Sequence, residues 1–233
     1  MRKWGWLIGL YIAAALISIG GAHLGSEAVT AFHRNQPLDR GVCMVIDAGH
    51  GGEDGGATSC SGVLESQINL EIAHRLNDLL HLMGYQTRMI RTTDTAIYTE
   101  GESLSAKKAS DLKNRVDIVN ETENGLLISI HQNTYPDSRY SGAQVFYGRD
   151  DESKLLATQL QSSLVKSLNH GSKRRAKPSD GIYLMQHIKR PGILVECGFL
   201  TNIEEDVLLR SADYQQKLVC VIATELAHYC ADT

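Results

Sequence analysis

From about residue 41 onward, apolar residues form two kinds of pattern that take turns along the chain: short continuous runs, and stretches in which they recur every three or four positions. Short apolar runs predict strands at 42–48, 85–91, 126–130, 143–147, 181–185 and 193–195. Apolar residues spaced three and four positions apart predict helices at 64–83, 105–122, 152–168 and 214–229. This order predicts an α/β fold, a single domain with a largely parallel twisted sheet flanked by helices on both faces.

The N-terminal segment has a different pattern, because it is apolar throughout. Arg2 and Lys3 precede a run from residue 4 to about residue 21 that carries no charged side chain. A basic start followed by such a run is typical of an export signal, and its length is close to the roughly 20 residues that span a bilayer. We therefore expect a hydrophobic helix at 1–22 that is a signal peptide or membrane anchor, a linker at 23–40, and the folded domain at 41–233.

Charge and cysteine content narrow the class of protein. The formal net charge of −4 gives no global positive field, so we expect no nucleic-acid partner. The five cysteines are odd in number and form no Cys-x-x-Cys pair, which argues against a disulfide framework and a thiolate zinc cluster. Cys43 and Cys197 lie in apolar runs, where cysteine usually packs as a small hydrophobe. The basic residues at 173–177 indicate either solvated surface or a contact for an anionic polymer or partner protein.

Polar side chains that could bind a metal follow three of the predicted strands. They are His50, His131 and Glu196. Because ligands bind outside the carboxyl ends of the strands in open α/β sheets, we expect these residues to meet at one edge of the sheet. Two neutral imidazoles and a carboxylate are a recognised zinc-binding set, which leaves a fourth position for water.

Acidic residues complete this candidate site. Glu65 is the natural third ligand, since it follows the glycine-rich loop after His50 and opens a predicted helix. A first-turn carboxylate also favours the helix dipole, and the residues alone leave these two interpretations equal. An ionised Glu196 after a dense apolar strand is costly unless it is paired or near a metal, and we favour a general acid/base role over a structural ion pair. Asp47 either orients a ligand imidazole or caps a turn.

Several common catalytic signatures are missing from the sequence. The glycine-rich loop at 49–56 lacks the Gly-Lys-Ser/Thr ending of a phosphate-binding loop, and its glycines do not match a dinucleotide fingerprint. Neither the Gly-x-Ser-x-Gly elbow of serine hydrolases nor the His-Glu-x-x-His motif of many metallopeptidases occurs. The residues therefore favour metal-assisted chemistry of another kind.

Four ordered motifs resemble those of the zinc-dependent N-acetylmuramoyl-L-alanine amidases of type 3. They are VIDAGHGG at 45–52 with DGGA at 54–57, Glu65 with Asn69, SIHQN at 129–133, and VECGFLTN at 195–202. The resemblance runs from about residue 42 to the C-terminus. It departs from the family pattern at 132–134, where small residues often flank the asparagine.

This resemblance implies a catalytic domain at 41–233 with an α/β fold and one zinc ion per chain. The implied ligands are His50, Glu65 and His131, and Glu196 is the implied catalytic glutamate. The implied substrate is peptidoglycan, cleaved between the lactyl group of N-acetylmuramic acid and the L-alanine of the stem peptide. Arg115 and Asn120 lie in a further family-like segment, which we interpret as structural or as a substrate-side wall.

A subgroup of the family that acts in spore germination is the most similar in arrangement, because it combines a short hydrophobic N-terminus with no added wall-binding module. The segment at 141–147 also fits this subgroup. It implies an exported enzyme, membrane-anchored or secreted to the cell wall or spore cortex, that helps to form muramic δ-lactam together with a deacetylase. An accessory spore protein is an expected partner, and the N-terminal segment is expected to contact the membrane if it is retained.

Three other functions remain open at this point. A zinc carboxypeptidase or endopeptidase acting on the stem peptide could use the same fold and metal set. A general vegetative autolysin would cut the same bond in another setting. A non-catalytic wall-binding protein would be expected to lack a ligand or Glu196, and all four residues are present.

Overall fold

The computed structural model describes residues 41–232 of the chain. The hydrophobic helix expected at 1–22 and the linker expected at 23–40 lie outside the described residues. Among the helices of 41–232, none is both long enough and apolar enough to cross a bilayer.

A twisted sheet forms the centre of the described domain. Its strands are β1 (Cys43–Ala48), β2 (Gln86–Met89), β3 (Gly125–Asn133), β4 (Gln144–Tyr147), β5 (Lys177–Pro178) and β6 (Gly192–Phe199). Their order across the sheet is β2-β1-β3-β6-β4-β5. Neighbours run parallel except for β4 and β6, which are antiparallel. The predicted largely parallel sheet is therefore confirmed.

Helices cover both faces of this sheet, as predicted. They are α1 (Glu65–Leu82), α2 (Leu104–Glu121), α3 (Asp151–Ser167), α4 (Tyr183–His187), α5 (Ile203–Leu209) and α6 (Ala212–Asp232). In β1, Met44 and Ile46 join the core beneath α1, α3 and α6, whereas Val45 joins the core beneath α2 and α4. All three side chains are fully buried, which explains why β1 is a continuous apolar run rather than an alternating one.

A stripe of buried side chains spaced four residues apart fixes the rotation of helix α1 about its axis. Ile68, Ile72, Leu76 and Leu80 are all buried in the first core, and burying each such side chain stabilises the fold by about 1.5–3 kcal/mol. Because this stripe fixes the rotation of α1, it also fixes the direction of Glu65 at the start of the helix.

The segment at 181–185 was predicted as a strand, and this prediction is wrong. The chain forms the short helix α4 there instead, with Leu184 and Met185 buried in the second core. A short apolar run cannot be assigned to a strand or a helix by periodicity alone. The two-residue strand β5 and the seven-residue helix α5 were not predicted, because they are too short to show a pattern.

Two strands are longer than predicted, and this changes how the site is built. Strand β3 continues through His131, and β6 continues through Glu196. The two residues are register partners across the parallel pair, and the register shifts directly after them. They therefore stand side by side within the sheet rather than in the loops that follow it.

Candidate metal centre

The fold brings His50, Glu65 and His131 into one cluster. One ligand atom from each lies within 4.8 Å of the others, and the two imidazole rings meet edge to face with centroids 5.0 Å apart. Glu65 lies between them, with Oε1 3.1 Å from His131 Nδ1 and Oε2 3.4 Å from His50 Nε2. Two imidazoles and one carboxylate are a donor set that zinc favours at catalytic sites, so the residues fit such an ion.

The carboxylate of Glu65 is held by donors from three parts of the chain. Asn69 Nδ2 and the backbone N–H of Gln132 donate to Oε1 at 3.2 and 3.1 Å, and the backbone N–H of Ala57 donates to Oε2 at 3.0 Å. Burial raises the pKa of Glu65, but its bonds to His131 and to His50 outweigh that effect and hold the pKa well below the usual range. Glu65 is therefore an ionised and oriented carboxylate, and its side chain does more than favour the helix dipole.

His50 adopts a backbone conformation that is uncommon for a residue with a side chain. Its φ of 62° is left-handed, which costs about 1–2 kcal/mol for a residue with a β-carbon. Asp54 Oδ2 lies 3.0 Å from His50 Nδ1 and 3.0 Å from Lys108 Nζ. Burial lowers the pKa of His50, but the neighbouring carboxylates of Glu65 and Asp54 raise it more, so the net shift is upward.

The carboxylate that orients the imidazole of His50 is therefore Asp54. Asp47, which the sequence suggested for such a role, has other partners. Asp47 is buried between Arg115, whose Nη1 donates to its Oδ1, and Ser129, whose hydroxyl donates to Oδ2 at 2.6 Å. Asp54 stands four residues after His50 in a loop of glycines. That spacing is a signal which sequence analysis could have used.

Two glycines leave room for the cluster. A β-carbon at Gly49 would lie 2.2 Å from Cε1 and Nε2 of His131, and one at Gly56 would lie 2.6 Å from Oε2 of Glu65. Gly56 also has a φ of 68°, which side chains disfavour. The glycine-rich loop thus lets its backbone pass directly against two of the three ligands.

Glu196 lies in the same cleft as the histidines. The cleft has a volume of about 310 Å³, and its lining includes His50, His131, Lys108, Tyr183 and Glu196. Oε2 of Glu196 is buried and has no hydrogen-bond partner among residues 41–232, and no Lys or Arg of this part of the chain forms an ion pair with it. Burial raises the pKa of Glu196 to about 7, because it outweighs the opposing effect of the His131 and His50 charges, and the charge of Glu65 adds to the rise. This environment favours a proton-transfer group over a structural ion pair.

In the metal-free protein, Glu196→Gln is expected to stabilise the fold at about pH 8 and to have little effect near pH 4.5. The folded-state pKa of about 7 lies above the usual 4.5, so the native state keeps a proton that the unfolded chain releases between these values. Wild-type stability therefore falls as the pH rises through this window. At roughly 1.4 kcal/mol per pKa unit, the advantage of the variant reaches about 3 kcal/mol above the window.

Denaturant unfolding of both proteins in a chelator, at several pH values, measures this difference in the free energy of unfolding. Glu204→Gln, at an exposed position of α5, is the control and should show no such pH dependence. A wild-type protein that stays as stable as Glu196→Gln across the range would contradict the burial of an unpaired carboxyl group.

The other residues singled out in the sequence take structural positions. Asn120 accepts from the backbone N–H of Lys189 at 2.6 Å. Arg174 of the basic segment stacks over Phe199 with its guanidinium carbon 4.9 Å from the ring centroid. Cys197 is fully buried, and burial raises the pKa of its thiol well above the usual range. A thiol with this pKa is a poor nucleophile, in line with the prediction that it packs as a small hydrophobe.

Comparison with known proteins gives consistent matches. A family model described as N-acetylmuramoyl-L-alanine amidase matches residues 44–228. The germination-specific N-acetylmuramoyl-L-alanine amidase of Bacillus subtilis is 41% identical over 191 residues, which cover 81% of this chain and 80% of that protein. N-acetylmuramoyl-L-alanine amidase LytC of the same organism is 32% identical and matches 76% of this chain but 33% of LytC. The CwlD amidase of Clostridioides difficile, solved in complex with the GerS lipoprotein, superposes with a TM-score of 0.79 at 34% identity, over 82% of this chain and 100% of that chain.

Proposed function

Because the chain belongs to the N-acetylmuramoyl-L-alanine amidase family, we propose that it is a zinc-dependent peptidoglycan hydrolase with its metal held by His50, Glu65 and His131. The bond cleaved is the amide between N-acetylmuramic acid and the L-alanine of the stem peptide. The observation that carries this proposal is the convergence of the three ligand atoms within 4.8 Å, beside the unpaired carboxyl group of Glu196 in the same cleft.

The requirement for zinc is supported by the chemistry of the donor set. A zinc ion held at such a site would supply polarisation of the scissile carbonyl and would lower the pKa of water to about 7. His50, Glu65 and His131 would hold one ion per chain. Asp54 fixes the imidazole of His50 through Nδ1, and Asn69 fixes Glu65, so the ligands are oriented before an ion binds.

Glu196 is proposed as the catalytic general acid and base. Its carboxylate takes a proton from the attacking water and returns that proton to the leaving nitrogen as the C–N bond breaks. The products are a free lactyl carboxylate on the muramic acid and a free amine on the stem peptide. A pKa near 7 suits a group that must both accept and donate a proton near neutral pH.

The biological setting is proposed from the relatives. The Bacillus subtilis relative is named as germination-specific, and we propose the same setting here, with action on spore cortex peptidoglycan and formation of muramic δ-lactam. The CwlD amidase was solved with a lipoprotein bound, which supports an accessory protein as a partner of this chain as well. Action on peptidoglycan requires export, for which residues 1–22 are the proposed signal peptide or membrane anchor, followed by a linker at 23–40 and the catalytic domain at 41–233.

Digestion of purified cortex and vegetative peptidoglycan by the full-length protein tests the reaction. Mass spectrometry should find intact stem peptides with a free L-alanine amine and glycan strands that have lost them, and a chelator should abolish both products. Release of single amino acids or of shortened stem peptides would instead assign a carboxypeptidase or endopeptidase. Equal rates on both substrates would favour a vegetative autolysin over a cortex enzyme.

A further inference from the structure

We infer that Arg91 and Arg115, here called the guanidinium clamp, hold the metal-binding loop at 48–50 in the backbone conformation that directs His50 toward the other ligands. The clamp thereby sets the affinity of the site for zinc. Neither residue is a ligand. The inference rests on the proposed metal centre, and it assigns a positioning role to two side chains that sequence analysis passed over or interpreted only as structure or substrate wall.

Arg115 donates to backbone carbonyls on either side of Gly49 in the metal-binding loop. From α2, its Nη2 donates to the carbonyl of His50 at 2.7 Å, and its Nη1 donates to the carbonyl of Ala48 at 3.0 Å. Asp111 accepts from Nε at 2.5 Å, and Asp47 accepts from Nη1. Arg115 is only 2% exposed, so these four partners fix the orientation of its guanidinium group.

Arg91 binds the carbonyl groups of the same loop. Its Nε donates to the carbonyl of Ala48 at 2.8 Å, and its Nη2 donates to the carbonyls of Gly49 at 3.1 Å and Ser66 at 2.7 Å. Its Nη1 donates to the carbonyl of Thr93 at 3.0 Å. The two guanidinium groups therefore bind every carbonyl from residue 48 to residue 50, and Arg91 also ties this loop to the first turn of α1, which carries Glu65.

The need for this clamp follows from the strain at the ligand. The φ of His50 is 62°, a conformation that persists in a non-glycine residue only when its surroundings enforce it. The bond from Arg115 to the carbonyl of His50 acts at that residue. Without it, the backbone is free to relax toward an ordinary conformation, which would turn the imidazole away from Glu65 and His131.

The same network reaches the second histidine. Asp47 accepts from Arg115 with one oxygen and from the hydroxyl of Ser129 with the other. Ser129 lies two residues before His131 on β3. Asp47 therefore joins Arg115 to β3, the strand that carries His131. Arg115 is thus linked both to the loop of His50 and to the strand of His131.

Lysine cannot replace arginine in this arrangement. A guanidinium group presents several N–H donors in a rigid plane, whereas an ammonium group is a single point charge on a flexible stem. Arg115→Lys keeps the charge and most of the volume but loses the directional bonds to two carbonyls and two carboxylates. Loss of such outer interactions typically weakens metal binding about 10–100-fold.

The test measures the zinc dissociation constant of the full-length protein by competition with a chromophoric chelator, in the absence of substrate. We expect Arg115→Lys to bind zinc about 10–100-fold more weakly than wild type. The matched control is Val119→Ala, a buried position on the same helix whose side chain packs in the second core; it perturbs the core but should leave zinc affinity unchanged. Millimolar guanidinium should restore zinc affinity to Arg115→Ala, and methylammonium should not.

Measurement without substrate separates this role from a contact with the stem peptide. If Arg115→Lys binds zinc with the same dissociation constant as wild type, the inference is overturned and the proposed metal centre stays intact. A wild-type protein that binds no zinc would overturn both. If Arg115→Lys does not fold, Arg91→Lys decides in the same assay, and unchanged affinity in that variant would likewise overturn the inference.

Discussion

Glu196→Gln is expected to lower the rate of amide hydrolysis by roughly 10²–10⁴-fold while zinc content stays at the wild-type level. The amide side chain keeps the shape of the carboxyl group but cannot accept and return a proton. Glu196 lies outside the set of three atoms that converge on the metal position, so the ion should be held as before. The measurement pairs the rate of free-amine release from muropeptides with zinc analysis of the same preparation.

The control for this variant is Glu204→Gln, an identical exchange at an exposed residue eight positions further along the chain. It should retain wild-type activity and zinc. If Glu196→Gln retained more than about a tenth of the wild-type rate, another group would have to move the proton, and the assignment of the catalytic glutamate would be wrong.

His131→Ala is expected to remove zinc and, with it, activity. Its imidazole supplies one of three ligand atoms, and Nδ1 also contacts Glu65 at 3.1 Å. Two remaining protein ligands hold a zinc ion far more weakly than three. We expect less than about a tenth of an equivalent of zinc after dialysis and a rate at least about 10³-fold lower, since both the ion and its electrostatic effect are lost.

His228→Ala, whose parent side chain is 67% exposed on α6, is the control and should keep one equivalent of zinc. Far-ultraviolet circular dichroism and unfolding in a chelator should show that His131→Ala folds like the metal-free wild type, because its backbone belongs to a strand paired on both sides. Full zinc retention by the folded variant would remove His131 from the ligand set.

Much of the site's layout could be predicted because parallel sheets obey simple geometry. β1, β3 and β6 run parallel and adjacent, so residues at their carboxyl-terminal halves must meet at one edge even though the chain separates them widely. That rule alone predicts that His50, His131 and Glu196 lie together. Their roles as ligands and catalytic group remain predictions for the experiments above.

The finer parts of the site were beyond sequence patterns for a physical reason. The bonds from Arg91 and Arg115 run to backbone carbonyls of the loop, and a carbonyl is present at every position, so no residue type marks the partner. The same holds for the left-handed φ of His50, which arises from tertiary contacts rather than local preference. Helix α4 was missed because five residues are too few to distinguish a helical stripe from a strand.

Anomalous diffraction at the zinc absorption edge, from crystals of the full-length protein grown without added metal, tests the central claim most directly. We predict one strong peak per chain, bounded by the side chains of His50, Glu65 and His131, with the carboxyl group of Glu196 facing the open side. A zinc peak bound by other residues, or the absence of a peak between the two imidazoles in crystals of protein shown to contain zinc, would contradict the account.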